Sequence, residues 1–334
     1  MFTLHADLTH PTRSLAEISR RVPPVRSRHW LSFQILIAAL LIPWQAVHAG
    51  TYPLPPSDVD LIGEIFTVKT REEDTLLQIA RLYGVGFNEI RDANPNVDMW
   101  VPGEGTEVII PTQFILPSAP RVGVVINLPE LRLYYYPPTP PGQPPVVTTF
   151  PISIGRMDWN TPLGNTKIVA KTENPSWYPP ASIRKEHAED GDELPAFIPP
   201  GPNNPLGNHA IRLGLPGYLI HGTNRPEGVG MRVTHGCIRM FPEDVEYLFK
   251  ILPVGTQVNL INEPYKAGWL AGKLYFEAHP QLEEEAEQHV KFNYEPVIQA
   301  IGHATEYRPA RIDRNSLKTL LDEHRGFPGV ISRE

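Results

Sequence analysis

Gly230-Met231-Arg232-Val233-Thr234-His235-Gly236-Cys237-Ile238-Arg239-Met240 carries the one cysteine of this 334-residue chain, and Ile220-His221-Gly222-Thr223 stands shortly before it. A single cysteine closes no intramolecular disulfide, so the surroundings of Cys237 govern how the rest is read. Imidazole is the usual neighbour that activates a thiol. Two are near in sequence: His235, two residues before the cysteine, and His221, sixteen before it. In an extended segment residues i and i+2 share a side, so His235 can face the sulfur directly, whereas His221 reaches it only if its own strand packs beside the turn. Spacing alone leaves the base open between them.

The neighbours add to the chemistry. Gly236 lets the backbone fold sharply at the cysteine, and such a turn can aim the N–H groups of Gly236 and Cys237 at a reacting carbonyl oxygen. Arg239 offers a planar fork for a carboxylate. Nucleophile, base, oxyanion donors and anion clamp thus fall within about twenty residues, the inventory of acyl transfer. Three plainer readings compete. Cys237 can be a small buried hydrophobe. His209, His221 and Cys237 can hold zinc, although no Cys-x-x-Cys or His-x-x-x-His spacing supports it. Arg239 can simply pair with Glu243 or Asp244, a contact of little worth if exposed. No metal and no cofactor are expected.

The N-terminus points to export. Arg13, Arg20, Arg21, Arg26 and Arg28 precede an apolar run from Leu31 to Ile42, and Val47-His48-Ala49 leads to Gly50. That is the layout of a secretory signal peptide over residues 1–49, with a run shorter than the roughly 20 residues of a membrane helix; an uncleaved anchor is the alternative. Either way the body of the chain is expected to be exported. Removing the segment takes away 5 basic and 2 acidic residues, leaving 25 against 35 and a charge of about -10. That balance argues against nucleic acid as a partner. Proline, 38 residues, is about twice its usual share and favours β-structure with long loops.

Residues 65–112 read as a β-α-α-β unit: Ile65 to Val68 a strand, a helix from Asp74-Thr75 to Gly84, a second from Asn88 to Ala93, and a closing strand at Glu107 to Pro111. After a linker at Pro117–Pro120 the pattern turns to strands: Val122–Leu128 and Leu131–Tyr136 around a hairpin, then Val146–Ile154, Thr166–Ala170, Tyr218–His221 and Thr256–Ile261. Between them lies a long loop, 172–208, of the kind that is commonly functional. One helix follows the cysteine, with Pro242 in its first turn and Val245, Leu248, Phe249 and Leu252 at helical spacing. From Pro264 on, helices are expected at Leu282–Gln288, Tyr294–Ala304 and Asn315–Arg325, laid on the outside.

The run from Ile220 to Met240 resembles the signature of the L,D-transpeptidase (YkuD-like) family, in the periplasmic branch that joins a LysM module to the catalytic domain. The likeness extends through Ile154-Gly155-Arg156, Thr161-Pro162-Leu163-Gly164 and Pro175-Ser176-Trp177-Tyr178-Pro179-Pro180. The first unit, with Asp74-Thr75-Leu76, Ile79-Ala80 and Asn94-Pro95, resembles a LysM binder of N-acetylglucosamine-containing glycans. Where the family often has serine before the histidine, Thr234 stands here and keeps the hydroxyl.

The resemblance implies a mainly β fold: a YkuD-like sandwich over 121–263 with the cysteine in a pocket between sheets, a small α+β module at 65–112 and a partly helical extension over 264–334. It implies that Cys237 cleaves the meso-diaminopimelate–D-alanine bond of a peptidoglycan stem and holds the acyl group as a thioester. His221 would be the base, oriented by the Gly222 carbonyl, with His235 and Gly236 shaping the pocket and Arg239, Thr234 and Asn224 binding substrate. The acceptor would be a second diaminopimelate, giving 3-3 cross-links, or the C-terminal lysine of an outer-membrane lipoprotein. A cysteine endopeptidase or carboxypeptidase, and a non-catalytic wall-binding protein, are the rivals.

Overall fold

The computed structural model describes residues 50–286 and 293–333, and the expected signal peptide lies outside them. Among the described residues no helix is long and apolar enough to cross a membrane. Strand β1 is Gly50–Pro53, followed by β2 (Leu61–Lys69), α1 (Leu76–Leu82), α2 (Phe87–Ala93) and β3 (Glu107–Ile115). β2 and β3 pair antiparallel from Leu61↔Ile115 to Lys69↔Glu107. α1 starts at a capping box: the Thr75 hydroxyl accepts from the Gln78 N–H while the Gln78 side chain accepts from the Thr75 N–H. Leu76, Ile79, Val85, Ile90, Val108 and Ile110 close the small core of this unit.

The strands of this unit run past the expected bounds because their far ends bury elsewhere. Ile62 and Phe114 join a cluster with Val125, Tyr134 and Val147 of the central sheet. The stretch expected as a linker is pinned too, with the Ser118 N–H and hydroxyl both donating to Glu263.

Next come β4 (Gly123–Asn127), β5 (Arg132–Tyr136), β6 (Val146–Pro151), β7 (Ile154–Gly155), β8 (Gly164–Glu173), α3 (Ala181–Glu189), β9 (His209–Leu213), β10 (Leu219–His221), β11 (Arg232–Thr234), β12 (Ile238–Arg239), α4 (Pro242–Ile251) and β13 (Gln257–Ile261). The fold is mainly β, but the two layers expected of a sandwich are one sheet. Its nine strands lie in the order β1-β6-β5-β4-β13-β8-β9-β10-β12. β8 belongs to both halves, pairing with β13 through its first residues and with β9 through its last, with a register shift between Ile168 and Ala170. Such an irregularity bends a strand.

The bend brings the far end of the sheet back to the near one. Ser153, just past β6, makes both main-chain bonds to Arg239 of β12, at 2.8 and 2.9 Å. One core results, with Val124, Leu133 and Phe150 from one end, Ile211, Ile220 and Ile238 from the other, and Val245 and Leu248 of α4 beside them.

Three sequence expectations change here. α3 forms inside the stretch 172–208 read as loop, β9 begins just after it where no strand was expected, and the expected strand Val146–Ile154 divides into β6 and β7 around Ser153. The tail also holds more than helices. β14 (Tyr265–Leu270) and β15 (Lys273–Ala278) form a hairpin, followed by α5 (Glu283–Ala286), α6 (Glu295–Thr305), α7 (Arg314–Glu323) and β16 (Gly329–Val330), which pairs with β15. The Lys266 ammonium of that hairpin lies 2.8 Å from Glu130 of the central sheet and 2.8 Å from Glu277, all three buried, and donates to the Ile115 carbonyl at 2.7 Å. A fully paired buried network of this kind fixes the tail against both neighbours.

Candidate active site

Alternation along two paired strands sets which side chains meet. β10 and β12 run parallel with Ile220 opposite Ile238 and His221 opposite Arg239. Both isoleucines are fully buried in the core, so the residues on either side of them, His221, Cys237 and Arg239, project from the other face. That face opens on a cavity of about 710 Å³, whose lining also includes Asn224, Thr234 and His235. Every expected site side chain therefore reaches one cavity. A larger cleft of about 800 Å³ lies between the tail and residues 116–121 and contains none of them.

The two histidines differ in what holds them. His221 is buried, and its Nδ1–H donates to the Gly222 carbonyl at 2.6 Å. That bond fixes the tautomer and leaves Nε2 as a lone-pair nitrogen. Burial, reinforced by the Arg239 charge, pulls its pKa down to about 4, with the Gly222 bond opposing, so the ring is neutral at ordinary pH. His235 leaves the extended path expected of it because Gly236 takes φ +97°. Its ring packs edge-on against Trp159, 5.2 Å between centroids, and its Nε2 lies 3.4 Å from Glu186. Burial, then Arg156, His187 and Arg239, bring it also to about 4.

Cys237 sits in the turn between β11 and β12, its thiol donating to the Gly217 carbonyl at 3.6 Å. Burial pushes the thiol up, and the Leu219 N–H and Arg239 pull it back only in part. A neutral thiol faces a cavity shared with a neutral imidazole.

The turn itself is braced. The Thr234 hydroxyl donates to the Cys237 carbonyl at 2.6 Å, and Thr234 is only 3% exposed. The Thr161 hydroxyl donates to the Gly236 carbonyl at 2.8 Å and accepts from the Gly155 N–H at 3.1 Å. Neither the Gly236 nor the Cys237 N–H donates to a protein acceptor among the described residues.

Arg239 pairs with neither Glu243 nor Asp244. Glu243 instead takes a two-bond pair from Arg81, 2.7 Å each, and the buried Arg239 Nε has no hydrogen-bond partner. Asn224 is exposed at the cavity rim. The zinc reading loses its third ligand, since the His209 ring packs on Phe249, 4.8 Å between centroids, and does not line the cavity. Arg156, Trp159, Tyr218 and Glu186 also line it and had no assigned role from sequence. The first stood inside a quoted motif, whereas Glu186 was one charge among many in a loop marked only by its length.

Residues 121–260 match the YkuD family, the L,D-transpeptidase catalytic domain. Over 317 residues the chain is 40% identical to Escherichia coli K12 "Probable L,D-transpeptidase YcfS", spanning 92% of this chain and 96% of that protein. The chain belongs to the L,D-transpeptidase family. Other L,D-transpeptidase relatives agree along most of the length: E. coli K12 "Probable L,D-transpeptidase ErfK/SrfK" is 39% identical, covering 88% of this chain and 94% of that one, and "Probable L,D-transpeptidase YbiS" is 37% identical, covering 84% and 91%. In this L,D-transpeptidase the cavity holding Cys237 falls within the matched catalytic domain.

Proposed function

We propose that the protein is a peptidoglycan L,D-transpeptidase of the periplasm in which Cys237 is the nucleophile and His221 its base. The observation that carries this is the Nδ1–H bond of His221 to Gly222, which leaves Nε2 free on the cavity wall that Cys237 shares. In the first half-reaction the Cys237 sulfur attacks the carbonyl joining meso-diaminopimelate to D-alanine. His221 takes the thiol proton and passes it to the departing D-alanine nitrogen as the C–N bond breaks. The oxyanion rests on the N–H groups of Gly236 and Cys237, and Arg239 takes a carboxylate of the stem.

In the second half-reaction an amine attacks the thioester carbonyl, the C–S bond breaks, and His221 carries the amine proton back to the sulfur. The acceptor is a second diaminopimelate or the C-terminal lysine of an outer-membrane lipoprotein. Thr234, with its hydroxyl committed to the Cys237 carbonyl, holds the turn, and Asn224 meets substrate at the rim. His235 shapes the wall.

Cys237→Ala should give no covalent adduct with tetrapeptide donor or carbapenem by intact-protein mass spectrometry; an unchanged adduct would refute the mechanism. His221→Gln should slow acylation far more than His235→Gln, and the reverse order would overturn the base assignment. The β-α-α-β unit is proposed to bind wall glycan in the manner of a LysM module, supported by the exposed Trp100 and Val101 between its helices and its closing strand. Trp100→Ala should then weaken co-sedimentation of the full chain with purified sacculi, and undiminished binding would remove that role.

A further inference from the structure

The active-site cavity has a second polar wall that the proposed mechanism leaves unused. Glu186 of α3 accepts from the Trp159 indole N–H at 2.9 Å and pairs with Arg156, its side chain only 27% exposed. Arg156 spends one terminal nitrogen on that pair, while its buried Nε has no partner among the described residues. The buried Nε2 of His235, 3.4 Å from Glu186, has no hydrogen-bond partner either. Three groups of different character therefore stand together on the cavity wall: an anion, a guanidinium and an imidazole, their side chains 27%, 37% and 21% exposed. A polar ligand that enters the cavity meets the exposed parts of all three.

The mixture of charges restricts what that ligand is. A plain carboxylate would satisfy Arg156 but meet Glu186 head-on, and a plain ammonium would satisfy Glu186 while leaving the guanidinium edge open. A zwitterionic α-amino-acid head presents both groups at the separation of one carbon, so it serves both. We propose that Arg156 and Glu186, with His235 Nε2, form a subsite for the free amino-acid head at the end of the diaminopimelate side chain of the acyl donor. This rests on the transpeptidase reading, in which the same residue's carbonyl is attacked by Cys237 while its side chain extends along the cavity. Arg156 pairs with the head's carboxylate, and Glu186 and His235 accept from its ammonium. α3 thereby becomes a specificity element.

The test measures single-turnover acylation of the full chain by mass spectrometry with three reagents: a diaminopimelate tetrapeptide, the lysine tetrapeptide that lacks the distal carboxylate, and a carbapenem, which has no amino-acid head. The wild type should prefer diaminopimelate to lysine by on the order of a hundredfold, the scale expected when a site built for a polar group meets an analogue without it. Arg156→Met should erase that preference, and Arg156→Lys should restore part of it. Glu186→Gln, which keeps an acceptor for Trp159, should slow both peptides, since both carry the ammonium.

Neither Arg156→Met nor Glu186→Gln should change the carbapenem rate by more than about twofold. Equal losses with all three reagents would overturn the subsite and make these residues braces of the cysteine turn. With an acceptor amine added to the acylated protein in a further arm, a loss confined to transfer onto that amine would overturn its assignment to the donor. No adduct from the wild type with any reagent would instead defeat the underlying transpeptidase reading.

Discussion

Arg132→Met should loosen the β-α-α-β unit from the catalytic sheet, and adding Glu89→Met should repair most of the damage. Arg132 is 1% exposed and donates twice to Glu89, at 2.7 and 2.8 Å. Its Nη1 reaches Thr149 and its Nη2 also reaches the Gly84 carbonyl, each at 3.2 Å, and its guanidinium lies 4.1 Å from the Phe114 ring. Glu89 takes the Gly86 N–H at 2.6 Å besides. Burial pushes the Glu89 carboxyl up, and Arg132 opposes it.

Removing the arginine strands that carboxylate with one donor, which costs about 3–5 kcal/mol when one member of a buried pair is lost. At about 2–4 °C per kcal/mol for a chain of this size, the melting temperature should fall by roughly 10 °C. Replacing both partners removes the stranded charge, and such apolar replacements are often neutral within about 1–2 kcal/mol.

The same clamp reaches the active site. The N–H groups of Phe87 and Asn88, at the start of α2, donate to the carbonyls of Val229 and Gly230 at 2.9 and 3.1 Å, directly upstream of the cysteine run. Gly86 and Gly230 approach so closely that a β-carbon on either would sit within 2.8 Å of the other's backbone. Acylation by a carbapenem should therefore slow in Arg132→Met and recover in the double variant. Denaturant unfolding of the four proteins gives the coupling energy, expected at about 3 kcal/mol, the upper end for residues in contact. A single-substitution cost under about 1 kcal/mol, or a double variant as unstable as the sum of the singles, would refute the reasoning.

With the His221 pKa near 4, its base form persists far below the usual 6.5, so the acylation rate should stay level from about pH 8 to 5 and fall only below that. A midpoint near 6.5 would contradict the neutral, buried ring. Iodoacetamide should label Cys237 slowly at pH 7 and faster only as pH rises above 9, because burial raises the thiol; rapid labelling at pH 7 would instead indicate a preformed thiolate. Asp244 is buried, with one carboxylate oxygen lacking a partner, and is pushed up to about 7, mainly by burial. A raised acid costs stability as pH climbs from its unfolded value near 4 up to about 7, so Asp244→Asn should raise the melting temperature most at pH 8, by less at pH 5 and least near pH 4. Gly236→Ala should abolish acylation, since φ is +97° and the added carbon would meet the Tyr218 ring at 3.0 Å; retained activity would show that the turn tolerates a different path.

How much was legible in advance depended on how local the cause was. The helix beginning at Thr75, the hairpin after Leu128 and the helix after Phe241 all rest on residues within a few positions of one another, and each formed where the pattern put it. The tail hairpin was missed because its buried strand carries Lys266, which reads as a surface residue until Glu130 and Glu277 come from distant segments to neutralise it. β9 was missed for a related reason. His209 and Arg212 break an apolar alternation whose meaning depends on the strands to either side.

The sequence by itself determined the chemistry: one thiol, two histidines, a glycine turn and an arginine in a short run, reactive groups whose identity no fold can change. Only the tertiary structure decided which histidine has its tautomer fixed by a main-chain bond, that the Arg239 Nε has no hydrogen-bond partner among the described residues, and that Glu186 joins the cavity from a helix some fifty residues upstream of the cysteine. Those outcomes depend on register and on a sheet bent at β8 and joined through Ser153. Strand alternation fixes a side chain's face only once its partner strand is known, and that partner is chosen by the whole core.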